Sequence, residues 1–332
     1  MRPALKSGLL PVWRDRDTLQ IGIDPRRAVA LSGMGRAAFV IGLLDGSRDR
    51  DQVIAAAAAR GIPVQATERI LTLLAAGGAL DDFPASTLRD LPLALRAKLA
   101  PELATTSLAY RDGDGGARAH ARRRAAAVRI EGSRRIGRAV ARLLNAAGVG
   151  QVHFIRPSAA TRDPDSGTDP GPRESRSGQL VRSEITPVIG PDLIILAGRQ
   201  PIERLAQLAR ARVPHLAVMA GEAVGVVGPL VVPGRTACLL CLDYVRASND
   251  PAWPLILAQI EHKRPEPPAC DAVLATAVAA QAAAQALTAI EKGPMTTAAA
   301  NGTLELVLPD WRWRRRTWPA HPACPCGSHT AR

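Results

Sequence analysis

Four of the five cysteines fall into two close pairs, Cys238-Leu-Leu-Cys241 and Cys324-Pro-Cys326, far apart in the chain. Thiolates two or three positions apart can turn toward one ion, and zinc accepts four sulfurs in a tetrahedron. Cys238, Cys241, Cys324 and Cys326 are therefore the candidate metal ligands. Four unrelated buried thiols are the competing reading, and the clustering of the cysteines into pairs argues against it. The one-residue spacing of the second pair is tighter than the usual zinc knuckle. A closed set of four thiolates leaves no open coordination position, so its chemistry would be structural, stapling the C-terminal tail to the body. His321 and His329 stand near the second pair as spare imidazoles and read as ordinary tail residues.

A second pattern concerns phosphate. The apolar run Val128-Arg-Ile130 leads into Gly132-Ser133-Arg134-Arg135-Ile136-Gly137, the strand, glycine turn and helix order that seats a nucleotide. The middle glycine of that fingerprint is replaced by Arg134, which crowds the backbone approach to phosphate. The next strand ends in Arg156-Pro157 instead of the acid that holds a ribose. Two readings stand side by side. One is a degenerate nucleotide site of Gly132, Arg134, Arg135, Gly137 and Arg156; the other is a nucleotide-free turn whose glycines serve packing. Cys270 is a weak nucleophile candidate, needing a base or cation such as His262 or Lys263 nearby. An inert thiol at the start of a helix is the plainer reading.

The elements that must position these groups can be read from periodicity. Short β-like runs at Leu10–Trp13, Leu19–Ile23 and Ala28–Leu31 are followed by helices near Arg36–Leu44, Asp49–Arg60 and Thr67–Ala76. They predict a small winged-helix-like α+β domain over 1–85. A helical linker follows at 86–125, including Leu88–Leu99. From 126 to 310 strands alternate with helices, at Val128–Ile130, Ile136–Ala147, Val152–Ile155, Leu193–Leu196, Ile202–Arg212 and Leu216–Met219. Two more β-like runs follow, Val224–Val227 and Leu230–Val232. This predicts an α/β, Rossmann-like, largely parallel sheet with helices on both faces. Residues 156–182 read as a long loop, and 311–332 as a zinc-binding C-terminal tail.

Composition narrows the class. The 332 residues are 47% hydrophobic, 22% charged and only 3% aromatic, which predicts a core of Ala, Val, Leu and Ile. The net charge of +13 is nearly all arginine, since Lys6, Lys98, Lys263 and Lys292 are the only lysines. That bias points to a GC-rich genome before it points to nucleic acid. Residues 1–20 carry no secretory signal, and cysteines without an export signal suggest metal or free thiol, so the expected location is cytoplasmic. Ala272–Ile290 is uncharged and long enough to span a bilayer, but its alanine content predicts a buried helix, not a membrane segment.

Gly132–Gly137, the following helix and Ala147-Gly-Val-Gly-Gln-Val152 resemble the opening of the ThiF/MoeB, ubiquitin-activating-enzyme-like family. The run Val227-Gly-Pro-Leu-Val-Val-Pro-Gly-Arg-Thr-Ala-Cys-Leu-Leu-Cys-Leu-Asp243 resembles the ThiF-like proteins of actinobacteria and of azole-forming peptide-modification clusters. The resemblance implies a structural zinc, a leader-peptide-recognition-like module at the N-terminus, a peptide or protein partner and a homodimer. Adenylating relatives need a phosphate lysine and a magnesium-binding acid. Here no lysine occurs between Lys98 and Lys263, and Gly198-Arg199-Gln200 follows the strand Leu193–Leu196 without an acid, Asp192 preceding it. The sequence thus predicts a degenerate nucleotide site, with ATP and magnesium doubtful as cofactors, in a partner-binding protein. The rivals are an active ATP-dependent adenylyltransferase clamping phosphate with Arg134 and Arg135, and an NADP-dependent oxidoreductase using Arg156. Nucleic-acid binding through Arg122–Arg124, Arg134–Arg142 and Trp311–Arg316 is the least favoured.

Overall fold

Alternating apolar residues and tight turns build the N-terminal part of the chain. The computed structural model describes residues 1–82, 92–155, 190–260 and 269–328. Arg156, the 156–182 loop, His262, Lys263 and His329 lie outside them. The chain divides into two compact units, Met1–Ala121 and Arg122–Arg332.

In the first unit β1 (Pro3–Leu5) pairs antiparallel with β5 (Leu80–Asp82). Strands β2 (Pro11–Trp13), β3 (Leu19–Ile21) and β4 (Val29–Leu31) form a separate antiparallel sheet in that order. Three helices follow, α1 (Phe39–Gly42), α2 (Arg50–Ala58) and α3 (Val64–Ala76). Helix α2 starts at a capping box, in which the Gln52 amide donates to Asp49 and the Asp49 amide to Gln52. Leu19, Ile21, Leu31, Val53, Ile70 and Leu74 meet in one buried core. Helix α4 (Leu93–Tyr110) continues through Pro101, well past Leu99. The Ser107 carbonyl and hydroxyl of α4 accept hydrogen bonds from Lys6 at 2.8 and 2.7 Å, and Lys6 pairs with Asp81 at 3.0 Å. Leu108 packs on the same core. Of the stretch expected to be a linker, residues 92–121 fall in the first unit, where Ser107 of α4 meets the buried Lys6–Asp81 pair at β1 and β5. The division between units falls within α5 (Ala117–Ala125).

The second unit is a seven-stranded mixed sheet. Its strands are β6 (Ala127–Gly132), β7 (Gln151–Ile155), β8 (Leu193–Ala197), β9 (His215–Gly221), β10 (Val224–Val231), β11 (Gly302–Val307) and β12 (Arg312–Thr317). They lie in the order β12-β11-β10-β9-β8-β6-β7. The pairs β7–β6, β6–β8 and β8–β9 are parallel, whereas β9–β10, β10–β11 and β11–β12 are antiparallel. The expectation of a largely parallel sheet is corrected to one that is half antiparallel. The cause is local: β9 turns back into β10 through Glu222 and Ala223, both with φ above +50°, and a two-residue hairpin cannot connect parallel strands. The runs 224–227 and 230–232 prove to be one strand, with its register shifted between Val227 and Leu230.

Helices α6 (Arg134–Ala146), α7 (Ile202–Arg210), α8 (Leu239–Asn249), α9 (Trp253–Ile260) and α10 (Ala272–Lys292) complete the unit. On one face α6 and α10 cover the sheet through Ile136, Val140, Leu144, Leu274, Val278 and Ala282. On the other, Leu205 and Leu208 of α7 pack on Ile194 and Leu196. Alanine lets α10 approach closely: a Cβ on Gly225 of β10 would lie 2.3 Å from Val278 Cγ2. By length and composition α10 could cross a membrane, yet ten of its residues, Glu291 among them, are buried in the folded unit. Glu291 forms a buried ion pair with Arg123.

Candidate functional site

The loop after β10 is fastened before it delivers its cysteines. The Thr236 hydroxyl accepts from the Val232 amide at 2.8 Å, and the Ala237 amide donates to Asn301 Oδ1 at 2.8 Å. Cys238 then stands at the N-cap of α8 and Cys241 one turn later, so both thiols share a helix face. From the other side, β12 runs into Trp318, which is 1% exposed and donates from Nε1 to Thr303. The following turn is closed by the Cys324 amide donating to the His321 carbonyl.

The two pairs meet. Sγ–Sγ separations are 3.8 Å for Cys238–Cys241, 3.6 Å for Cys238–Cys324 and 3.5 Å for Cys241–Cys326, and all four sulfurs lie within 4.8 Å of one another. A tetrahedron with arms of about 2.3 Å has edges of about 3.8 Å, so this cluster has the size of a four-thiolate metal site. Burial pushes the Cys324 thiol up; the hydrogen bond from Cys238 to Cys241 pushes Cys238 up and Cys241 down. The Cys241 thiolate is thus favoured, and a cation would offset the upward shifts of Cys238 and Cys324. His321 takes no part: its ring stacks on Tyr244 at 5.1 Å, and its Nδ1 accepts from the Ala323 amide.

The tail itself differs from expectation. Arg312–Thr317 is a sheet strand, and Trp318 is packed with Ala237, Cys241, Leu242 and Cys324. Docking of the C-terminus therefore rests on a strand and a buried tryptophan as well as on the cysteines.

The glycine turn sits at the C-terminal ends of β6 and β8, where nucleotides bind in open α/β sheets. Both glycines are consumed by packing. Gly132 has φ +114°, and a Cβ there would lie 2.0 Å from the Ala197 carbonyl oxygen; a Cβ on Gly137 would lie 2.4 Å from Phe154. Arg134 is the first residue of α6. Arg135 donates to the Cys270 carbonyl at 2.8 Å. Cys270 is buried at the start of α10, its sulfur 3.8 Å from the Asp271 carbonyl. Asp192 lies at the opposite end of β8 from Gly132 and accepts from the Ala127 amide at 2.8 Å. Sequence reasoning overlooked Glu131, the acid next to Gly132. It is held by Arg204 of α7 through two hydrogen bonds, 2.6 and 2.9 Å, and lies 2.9 Å from Arg129. Only the alternation of Val128 and Ile130 with Arg129 and Glu131 signalled that this strand carries charge on its second face.

Some members of the arginine runs make internal contacts, while Arg312 and Arg314 keep most of their side chains exposed. Arg123 pairs with Glu291, Arg315 donates to the Ala298 and Ala300 carbonyls, and Arg312 and Arg314 pair with Asp310.

No family model and no curated protein sequence matches the chain. Solved structures do. Over 98% of this chain the heterocyclase TruD superposes with a TM-score of 0.64 at 17% identity, although only 43% of TruD is covered. A heterocyclase in complex with substrate and cofactor gives 0.65 at 16% identity, over 98% of this chain and 39% of that one. The chain spans less than half the length of these heterocyclases. E. coli MccB with AMPCPP and MccA is matched end to end, 99% of this chain and 100% of MccB, with a TM-score of 0.64 at 16% identity. The fold of this chain is that of MccB and of the corresponding part of TruD.

Proposed function

We propose that the chain is a ThiF/MoeB-like protein in which a structural zinc on Cys238, Cys241, Cys324 and Cys326 braces a nucleotide fold that no longer supports adenylation, and that it binds a peptide or protein partner in peptide modification. The observation that carries this reading is the state of the glycine turn. Gly132 and Gly137 are spent on packing, Arg134 fills the position that backbone–phosphate contact requires, and the adjacent acid Glu131 is neutralised by Arg204. Phosphoryl and nucleotidyl transfer depend on metal-held phosphates and in-line positioning. Among the described residues no uncommitted acid stands at this end of β6 and β8 to hold magnesium. The peptide reading is supported by MccB, which has been solved with MccA and with N-formylated MccA. The first unit adds an extended-peptide surface: β2 and β4 are edges of their sheet, and an added strand is a common mode of peptide capture.

The cysteine cluster fits zinc in donor type and size, and such a closed site supplies rigidity, not Lewis acidity. Elemental analysis of protein purified without chelator should give one zinc per chain; one iron or no metal would end that assignment. A homodimer and a cytoplasmic location belong to the same proposal, and sedimentation tests the first.

An active adenylyltransferase is the second reading, favoured by the MccB structure with ATP. Calorimetry with ATP and magnesium, and peptide-dependent pyrophosphate exchange, separate the two. Exchange above background would overturn the degenerate-site reading.

A further inference from the structure

A cavity of about 410 Å³ opens on the sheet face opposite α10, within the size range of small-molecule sites. Its surface is mainly apolar, with Met219, Val226, Leu205, Leu242, Trp253 and Leu257 among its walls. The polar groups around it divide into matched and unmatched. Asp243 accepts from Arg246 at 3.2 Å and from Trp253 Nε1 at 3.1 Å. The Arg246 guanidinium lies over the Trp253 and Trp318 rings, 5.0 and 5.3 Å from their centres. That acid and that cation satisfy each other. Arg199, in the turn after β8, also borders the cavity; it is exposed and has no hydrogen-bond or ion-pair partner among the described residues. The result is an apolar chamber with one unmatched positive charge at its rim.

We propose that this cavity binds a small apolar carboxylic acid, its carboxylate on Arg199 and its hydrocarbon body against Met219, Val226 and Leu257. Charge complementarity selects the head group, since burial of the tail beside an unmatched guanidinium favours an anion over a neutral or cationic group. The proposal does not depend on whether the chain adenylates. It does tie the cavity to the cysteine cluster: Pro325, between Cys324 and Cys326, forms part of the wall, as do Leu239 and Leu242 beside Cys238 and Cys241.

The test uses the full chain with decanoate, decylamine and decanol as probes, followed by calorimetry and by the fluorescence of Trp253, checked with Trp253→Phe. Decanoate should bind at a single saturable site, about tenfold or more tighter than decylamine, the worth of one charge-assisted hydrogen bond. Arg199→Gln, at an exposed position that folding does not need, should erase that preference while leaving decanol binding unchanged. Met219→Trp should fill the chamber and abolish binding of all three. Equal affinity for the acid and the amine would overturn the proposal, as would a preference that survives Arg199→Gln or no saturable binding.

Discussion

Replacing Lys6 by methionine tests how the first unit is bounded. Lys6 is 1% exposed, and its ammonium is satisfied by the Ser107 carbonyl, the Ser107 hydroxyl and Asp81. Methionine fills a similar volume but leaves Asp81, 8% exposed, as a buried carboxylate whose remaining side-chain partner is the Ser107 hydroxyl. Breaking a buried pair by removing one member costs about 3–5 kcal/mol, mostly for the charge left behind. Removing both members should recover most of that loss, because Lys6→Met with Asp81→Leu replaces the pair by apolar packing. Ser107 can then turn its hydroxyl to a carbonyl one turn earlier in α4. Urea denaturation of residues 1–121, and of the whole chain, gives the four corners of the double-mutant cycle. The same contacts bear on where the unit ends: a fragment ending at residue 85 lacks Ser107 and Leu108, and should be markedly less stable than 1–121. A single-mutant loss below about 1 kcal/mol, a double mutant no better than the sum of the singles, or equal stability of the two fragments would refute it.

Cys324→Ser should lower bound zinc from one equivalent to none while β12 and Trp318 stay docked, as near-ultraviolet circular dichroism and limited proteolysis would show. Acidification should release the metal as thiolates are protonated, so a chromophoric zinc indicator should respond increasingly as pH falls and not as it rises. Gly137→Ala should destabilise the second unit by about 1–3 kcal/mol through the clash with Phe154. Gly132→Ala should cost more, since it adds backbone strain at φ +114° to a steric conflict with Ala197. Thermal unfolding of both variants measures the difference. Arg134→Gly should not create ATP binding in calorimetry, because Glu131 stays locked by Arg204 and no magnesium ligand is restored.

What the sequence disclosed was local, and what it concealed was long-range. Apolar periodicity located β6, α6 and β8, the uncharged alanine-rich run located α10, and cysteine spacing identified four thiols that the fold brings together. The antiparallel half of the sheet stayed hidden because its hairpin uses Glu222 and Ala223 instead of the Asn-Gly or Asp-Gly that marks such turns. Pro101 made α4 look shorter than it is, since a proline inside a helix removes an amide donor. The run from Arg312 to Thr317 read as a charged tail because an edge strand with few apolar residues has no hydrophobic alternation to detect. The Glu131–Arg204 and Lys6–Asp81 pairs join residues distant in the chain, and no local pattern announces them.

That arginine-bearing strand has a consequence for solubility. A mixed sheet ending in an antiparallel strand offers an open ladder of backbone groups, a template on which another chain can assemble. Here β12 is that last strand, and it carries Arg312, Arg314 and Arg316 on alternate positions with Asp310 beside them. Two copies approaching edge to edge would bring like charges into register, so the same residues that raise the net charge act as gatekeepers against fibril-like stacking.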